Sequence, residues 1–218
     1  MKGDRIHTKL LSVQEIPNAD KALLEQLNVP AGFRSLGILT TDCDDVGYVA
    51  LDEATKKADV CVVYARSMYA GASNASTKLA GEFIGILAGP TPAEVRSGID
   101  AFISYIENDA FFYSANSDDS IVYFSHVIAQ TGTYLSAQAG VPKGTPMLYV
   151  IAPPNEAICG IDEALKSAEV EMNVFYGPPS ETNFAGGLLT GTQAACRAAS
   201  EAFARRVNNI ADRPISID

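Results

Sequence analysis

Histidine occurs only twice in these 218 residues, cysteine four times, and tryptophan not at all. His7 and His126 have no motif around them. Nucleophilic catalysis needs a base such as histidine within reach of a serine or cysteine, so chemistry of that kind has no residues to run it. Cys43, Cys61, Cys159 and Cys196 form no C-x-x-C pair and have no nearby histidine. That spacing argues against a disulfide framework and against a zinc site, and leaves four reduced thiols, three of them expected in the core. No metal site is expected. Charged residues are also scarce, at 19%, and the balance is acidic, with a formal net charge of −10. No Lys/Arg run exceeds a pair, so a nucleic-acid backbone would be repelled. The longest apolar stretches, Phe83–Ala88 and Val60–Val63, fall far short of the roughly 18–20 residues that cross a bilayer, so no membrane span is expected. Met1–His7 lacks the apolar core and cleavage site of a signal peptide, which points to a cytoplasmic protein. Gly186, Gly187 and Gly191 match neither phosphate-binding glycine pattern, and fit tight turns or close backbone approach around an opening.

What the chain has in quantity is apolar residues, 47% of the total. That suffices for a core, and with so little charge it hints at surface hidden in an oligomer. The chain also repeats itself. Leu51–Val60 aligns with Ile161–Val170 at an offset of 110, with six of ten positions identical. Gly85–Gly89 lies over Gly187–Gly191 at an offset of 102, so the first copy carries about 8 extra residues, placed in Ser67–Leu79. Each copy shows the same order of elements. A β-rich run (35–41; 146–151) leads into an amphipathic helix (46–58; 156–168) with apolar positions at three- and four-residue spacing. A strand (59–66; 169–176), a loop, a second strand (82–88; 185–190) and a second helix (92–106; 193–210) follow, with Pro92 suited to a first helical turn. Ahead of each copy, 8–29 and 121–139 read as a strand and then a helix. The expected fold is α+β: an α/β sandwich made twice, each half a mostly antiparallel sheet with helices packed on it.

Glu107–Ser120 is rich in turn-forming residues and reads as the hinge, dividing the chain into domains 1–112 and 113–218. Phe111-Phe112-Tyr113 inside it is an aromatic cluster that a plain linker would lack, and is expected to pack.

Several separated motifs carry a family resemblance: Arg34-Ser35-Leu36-Gly37-Ile38-Leu39, Asp44-Asp45-Val46, Asp52-Glu53-Ala54-Thr55-Lys56, Tyr69-Ala70-Gly71-Ala72, Thr133-Tyr134-Leu135-Ser136, Ala152-Pro153-Pro154, Ser180-Glu181-Thr182-Asn183 and Leu189-Thr190-Gly191. In order and spacing they resemble the ethanolamine-utilisation microcompartment shell proteins of the L type, with departures at the N-terminus and in Ser73–Lys78. The resemblance implies two tandem, circularly permuted bacterial microcompartment domains, a homotrimer that mimics a hexamer, and tiling with other shell proteins into a layer. It implies a non-enzymatic structural role in the microcompartment shell, gated pores, no catalytic cofactor, and passage or binding of a bulky cobalamin cofactor.

Ethanolamine is the small-molecule ligand the resemblance implies. Its ammonium needs carboxylates and an aromatic face, and its hydroxyl needs neutral hydrogen-bonding groups. Carried over residue by residue, Asp44, Asp45, Glu82, Phe112, Thr182 and Asn183 are the ligand-binding and pore-lining candidates. Each has a plainer explanation. Asp42, Asp44 and Asp45 suit an N-cap and the positive end of the helix that begins near Val46. Glu82 can be an exposed strand-edge charge, Phe112 a core residue, and Thr182-Asn183 a turn. His126 is expected beside the second sheet. Two other classes compete with the shell reading: a small-amine sensor with duplicated α/β domains, and a metal-carboxylate or thiol enzyme.

Overall fold

The computed structural model describes residues 1–68 and 77–215. The motif Tyr69–Ala72, most of Ser73–Lys78 and most of the insertion placed in Ser67–Leu79 lie outside the described residues. In chain order the elements are β1 (Arg5–Ile6), β2 (Leu10–Ile16), α1 (Lys21–Gln26), β3 (Ser35–Thr41), α2 (Asp44–Lys57), β4 (Cys61–Ser67), β5 (Phe83–Gly89) and α3 (Pro92–Asn108). They continue as β6 (Phe112–Ser114), β7 (Val122–Ile128), α4 (Thr133–Ala139), β8 (Met147–Ala152), α5 (Pro154–Ser167), β9 (Val170–Tyr176), β10 (Ala185–Gly191) and α6 (Gln193–Asp212). Two compact units result. One is His7–Ala110 with Gly132–Leu135; the other is Met1–Ile6 with Phe111–Thr131 and the chain from Ser136 onward.

The first unit holds a four-stranded sheet, β2-β3-β5-β4, with every pairing antiparallel. Its central strands β3 and β5 are apolar and buried on both faces. Leu36, Ile86 and Ala88 pack with Ala19, with Leu24 of α1 and with Leu27, its C-cap. On the opposite face Gly37 approaches Val95 and Ile99 of α3, and Gly85 approaches Leu51 of α2. Helix α2 lies so close to β5 that a Cβ on Gly47 would come within 2.5 Å of the Phe83 ring. Thr91 caps α3 by accepting from Glu94 N, ahead of a proline in the first turn, the combination that satisfies an orphan N–H and presets the backbone.

The second unit holds a six-stranded antiparallel sheet, β1-β6-β7-β8-β10-β9. Helices α5 and α6 cover one face through Ile161, Ala164, Ala199, Phe203 and Val207, packed on Leu148, Val150 and Leu189. His126 stacks on Phe124 within β7, 5.4 Å between ring centroids.

The segment 107–120 contains β6, paired with both β1 and β7. Its aromatic cluster packs as expected: Phe111 and Phe112 are buried, and Arg5 lies over Phe111 at 4.8 Å. One expectation needs correction. Of the four cysteines only Cys196 is buried; Cys43, Cys61 and Cys159 are half-buried. Cys43 is the N-cap residue of α2, and Cys61 lies on β4 at the edge of its sheet, where one side has no neighbouring strand.

Within the first unit, α2 grips a segment from far along the chain. The Asp52 carboxylate, 1% exposed, accepts from Gly132 N at 2.6 Å and from Leu135 N at 2.9 Å. Thr55 Oγ1 accepts from Thr133 N at 3.0 Å, and Tyr134 stacks on Tyr48 with centroids 6.1 Å apart. Donors that open α4, orphaned by helix geometry, are thus met by side chains of α2. The fit leaves no room: a Cβ on Gly132 would lie 2.3 Å from Thr55 Oγ1 and 2.4 Å from the Asp52 carbonyl oxygen. Gly132→Ala is therefore expected to cost about 2–3 kcal/mol by forcing the segment off α2. Asp52→Ala, which strands buried N–H groups, should cost about 3 kcal/mol. Urea unfolding followed by circular dichroism measures both, and an unchanged midpoint in either variant would contradict the described grip.

Candidate ligand-binding site

Three strand ends and one helix start meet in the first unit. In the register of β3, β5 and β4, Phe83 faces both Thr41 and Ser67. The residue before it, Glu82, donates its N–H to Thr41 O at 2.9 Å and accepts from Met68 N at 2.6 Å. Thr41 Oγ1 donates to Cys43 O at 2.7 Å, tying the end of β3 to the start of α2. Asp44 and Asp45 occupy the first turn of α2 and are both buried.

None of the three aspartates is the side-chain N-cap that their position before Val46 suggested. Cys43 is the N-cap residue and makes no capping bond. Asp42 instead accepts from Lys9 N at 2.7 Å, and Asp44 Oδ1 accepts from Asp45 N at 3.0 Å. The favourable end of the helix dipole still explains why two acids are tolerated in the first turn.

The electrostatics are those of crowded carboxylates. Burial raises the Asp44 carboxyl above its ordinary range, and a hydrogen bond from Ser67 opposes the rise. Tyr48 OH and Ser67 Oγ are 2.7 Å apart, so Ser67 joins the acid to the aromatic ring beside it. Glu82, half-buried and repelled by Asp44 and Asp42, is pushed up to about 7. Burial and the charges of Asp45 and Asp44 hold the Cys43 thiol protonated. The cluster can attract a cation, because a positive charge there offsets the repulsion of Glu82 by Asp44 and Asp42. Among the described residues no group of His, Cys, Asp or Glu is arranged to hold a metal ion.

Phe112, Thr182 and Asn183 belong to the other unit. Phe112 is buried and packs on Phe124 at 5.3 Å and edge-on to Phe184 at 6.3 Å. Ser180 organises the 180–184 turn: its N–H donates to Phe184 O at 3.0 Å, and its hydroxyl accepts from Phe184 N at 3.1 Å. Asn183 adopts a φ of 66°, a left-handed conformation suited to asparagine in a turn. The structure thus groups Asp44, Asp45 and Glu82 in one unit, and Phe112 with the Thr182-Asn183 turn in the other. Ser67 and Tyr48 were not singled out from the sequence, although Tyr48 lies four residues after Asp44 on one helix face, which was the available signal. A separate groove of about 670 Å³ in the second unit, lined by Asn155, Cys159, Arg206 and Arg213 among others, contains none of the six candidates.

Residues 35–116 match the family model described as the BMC domain. An antiparallel sheet with a helix pair, built twice in one chain, defines the class: α+β, two tandem circularly permuted microcompartment domains. The EutL shell protein of Clostridium perfringens is 56% identical over 215 residues, 99% of each chain. The crystal structure of the ethanolamine utilization protein EutL from Leptotrichia buccalis matches with a TM-score of 0.97 at 60% identity, covering 100% of both chains. A trimeric microcompartment shell protein, PduB, shares the fold with a TM-score of 0.77 at 21% identity, covering 94% of this chain and 89% of the other. The chain belongs to the EutL family of bacterial microcompartment shell proteins, and its role is structural rather than enzymatic.

The Glu82 value has a consequence for stability. A carboxyl that is raised from 4.5 to about 7 on folding binds its proton more tightly in the folded state. Its contribution to stability is complete below pH 4.5 and is lost as the pH rises through 7. Glu82→Gln is therefore expected to gain stability over the parent chain across that window and to run parallel to it at lower pH. Thermal melts at half-unit pH steps check this; parallel curves from pH 4 to 8 would contradict it.

Proposed function

We propose that the chain assembles as a homotrimer whose six domains, 1–112 and 113–218 in each copy, form a pseudohexameric tile beside other shell proteins. Gated pores through the tile pass small metabolites and a cobalamin cofactor, and ethanolamine binds near the pore. The observation that carries the ligand part of this reading is the carboxylate cluster at the start of α2, where Asp44 and Asp45 are buried in the first turn and Glu82 is bonded to the end of β3 through Thr41 O. An ammonium arriving there favours the ionised form of Glu82 and offsets its repulsion from Asp44 and Asp42.

Six residues are assigned to the ligand and the pore lining. Asp44, Asp45 and Glu82 supply negative charge for the ammonium. Phe112 supplies the aromatic surface, and Thr182 and Asn183 supply neutral hydrogen-bonding groups for the hydroxyl. The family supports this reading, since the relatives carry the ethanolamine-utilisation name, and the homologous PduB structure is described as trimeric. Three copies of a duplicated domain offer six similar edges, the number a layer with local sixfold packing requires. No bond is made or broken in this role; selectivity comes from the sign and placement of lining groups.

Titration calorimetry with ethanolamine tests the ligand assignment. The parent chain should bind, and Asp44→Asn and Glu82→Gln should each weaken binding about tenfold, the loss expected for one charge-assisted hydrogen bond. Lys166→Ala, on the outer face of α5, should bind as the parent does. Absence of heat with the parent chain, or undiminished binding in both acid variants, would overturn the assignment.

A further inference from the structure

The helix pair of the first unit begins beside acids, and its counterpart in the second unit ends beside arginines. Helices α2 and α5 coincide at an offset of 110 residues, so Asp44 and Asp45 fall on Pro154 and Asn155. Helices α3 and α6 coincide at an offset of 101, which lays the buried Phe102 and Ile106 over the buried Phe203 and Val207. Tyr105 then falls on Arg206. At this place the second unit has neither acid, and it carries a guanidinium where the first carries a phenol.

The same place holds the groove of about 670 Å³, lined by Asn155 and Cys159 of α5, by Arg206 and Asn209 of α6, and by Arg213, the C-cap of α6. Arg206, Asn209 and Arg213 recur at three- and four-residue spacing and so share one side of the helix end. The Arg213 N–H, bonded to Asn209 O and Ile210 O at 3.1 Å each, fixes the last of them. Neither guanidinium has an ion pair among the described residues. A helix C-terminus attracts basic side chains, but Arg206 stands outside the last turn of α6. Two acids share the rim. Asp212 is answered by Lys2 at 2.6 Å, which leaves Glu156 against two arginines. The groove is thus net positive on a chain whose formal net charge is −10, and an anion seated in it relieves the repulsion between the guanidinium groups.

Size and lining decide the kind of anion. Grooves of roughly 300–1,000 Å³ accommodate whole organic ligands, far more than a bare ion. The planar fork of arginine matches phosphate oxygens two at a time, and Asn155 and Asn209 add neutral donors and acceptors. Half-buried Ile210 and Cys159 offer apolar surface to the rest of the molecule. We propose that this groove binds an organic phosphate, with the phosphate on Arg206 and Arg213 and the organic part against Ile210 and Cys159. The site lies apart from the carboxylates of α2 and does not depend on the cation-binding role proposed for them.

Titration calorimetry of the full chain with adenosine monophosphate (AMP) is the test, with inorganic phosphate and adenosine as comparators. AMP should bind saturably, phosphate at least tenfold more weakly, and adenosine not at all. Arg206→Gln and Arg213→Gln should each weaken AMP at least tenfold, Glu156→Gln should tighten it, and Arg197→Gln, elsewhere on α6, should bind as the parent does. These side chains are exposed or half-buried, so every variant should keep the parent circular-dichroism spectrum. AMP should also slow alkylation of Cys159 by iodoacetamide, read by peptide mass spectrometry, and leave Cys61 in the other unit unaffected. Absence of AMP binding, binding undiminished in both the Arg206 and Arg213 variants, or an equal loss in Arg197→Gln overturns the site. Phosphate that binds as tightly as AMP overturns the organic part of the assignment, and adenosine that does so overturns the phosphate part.

Discussion

A carboxylate removed from water must be met by donors, and in this chain the donors for Asp52 come from 80 and 83 residues away. That requirement ties Gly132–Leu135 to α2 and leaves no space for a side chain at 132. It also explains a break in the repeat. Asp52 and Asp162 descend from equivalent positions, yet one is a buried anchor for a neighbouring strand–helix unit and the other is a surface charge paired with Lys166.

The carboxylates at the start of α2 obey different physics. They lie where three strands end, so the main-chain bonds of Glu82 with Thr41 and Met68, and the Thr41 hydroxyl on Cys43 O, hold the backbone in place. The side chains themselves remain under electrostatic tension. Ser67 stabilises charge on Asp44, while Glu82 bears the repulsion and its pKa rises to about 7. A site of this kind suits an incoming cation more than a chemical step: the neighbouring thiol is held protonated, and His126 stacks in the sheet of the other unit. Membership of the EutL family of shell proteins, whose role is structural, agrees with a site that makes no chemical step.

Much of the fold could be read from residues alone because the copies corroborate each other. The run Ser35–Thr41 is β3 without adjustment, and both helix pairs end within a few residues of the expected limits. Apolar alternation and three-to-four spacing are properties of long elements, and here each occurs twice. Strands β1 and β6, two and three residues long, are too short for any periodicity and exist only by pairing with each other and with β7. Cys61 is half-buried because β4 lies at a sheet edge, which composition does not encode. At the site, Asp44 and Asp45 announce themselves by adjacency. Glu82 came into view only through the family resemblance, and Ser67, which reaches Asp44 across two strand ends, through neither. The Asp52 anchor was quoted as a motif, but its role depends on a contact across 80 residues that no local pattern carries.

Amide hydrogen exchange read by mass spectrometry, comparing the parent chain with Asp52→Ala, tests most directly whether one buried carboxylate holds the distant segment on α2. Peptides covering Gly132–Leu135 should exchange slowly in the parent and at least tenfold faster in the variant, while peptides of β8 and β10 exchange alike in both. Equal exchange of Gly132–Leu135 in the two proteins would contradict the account.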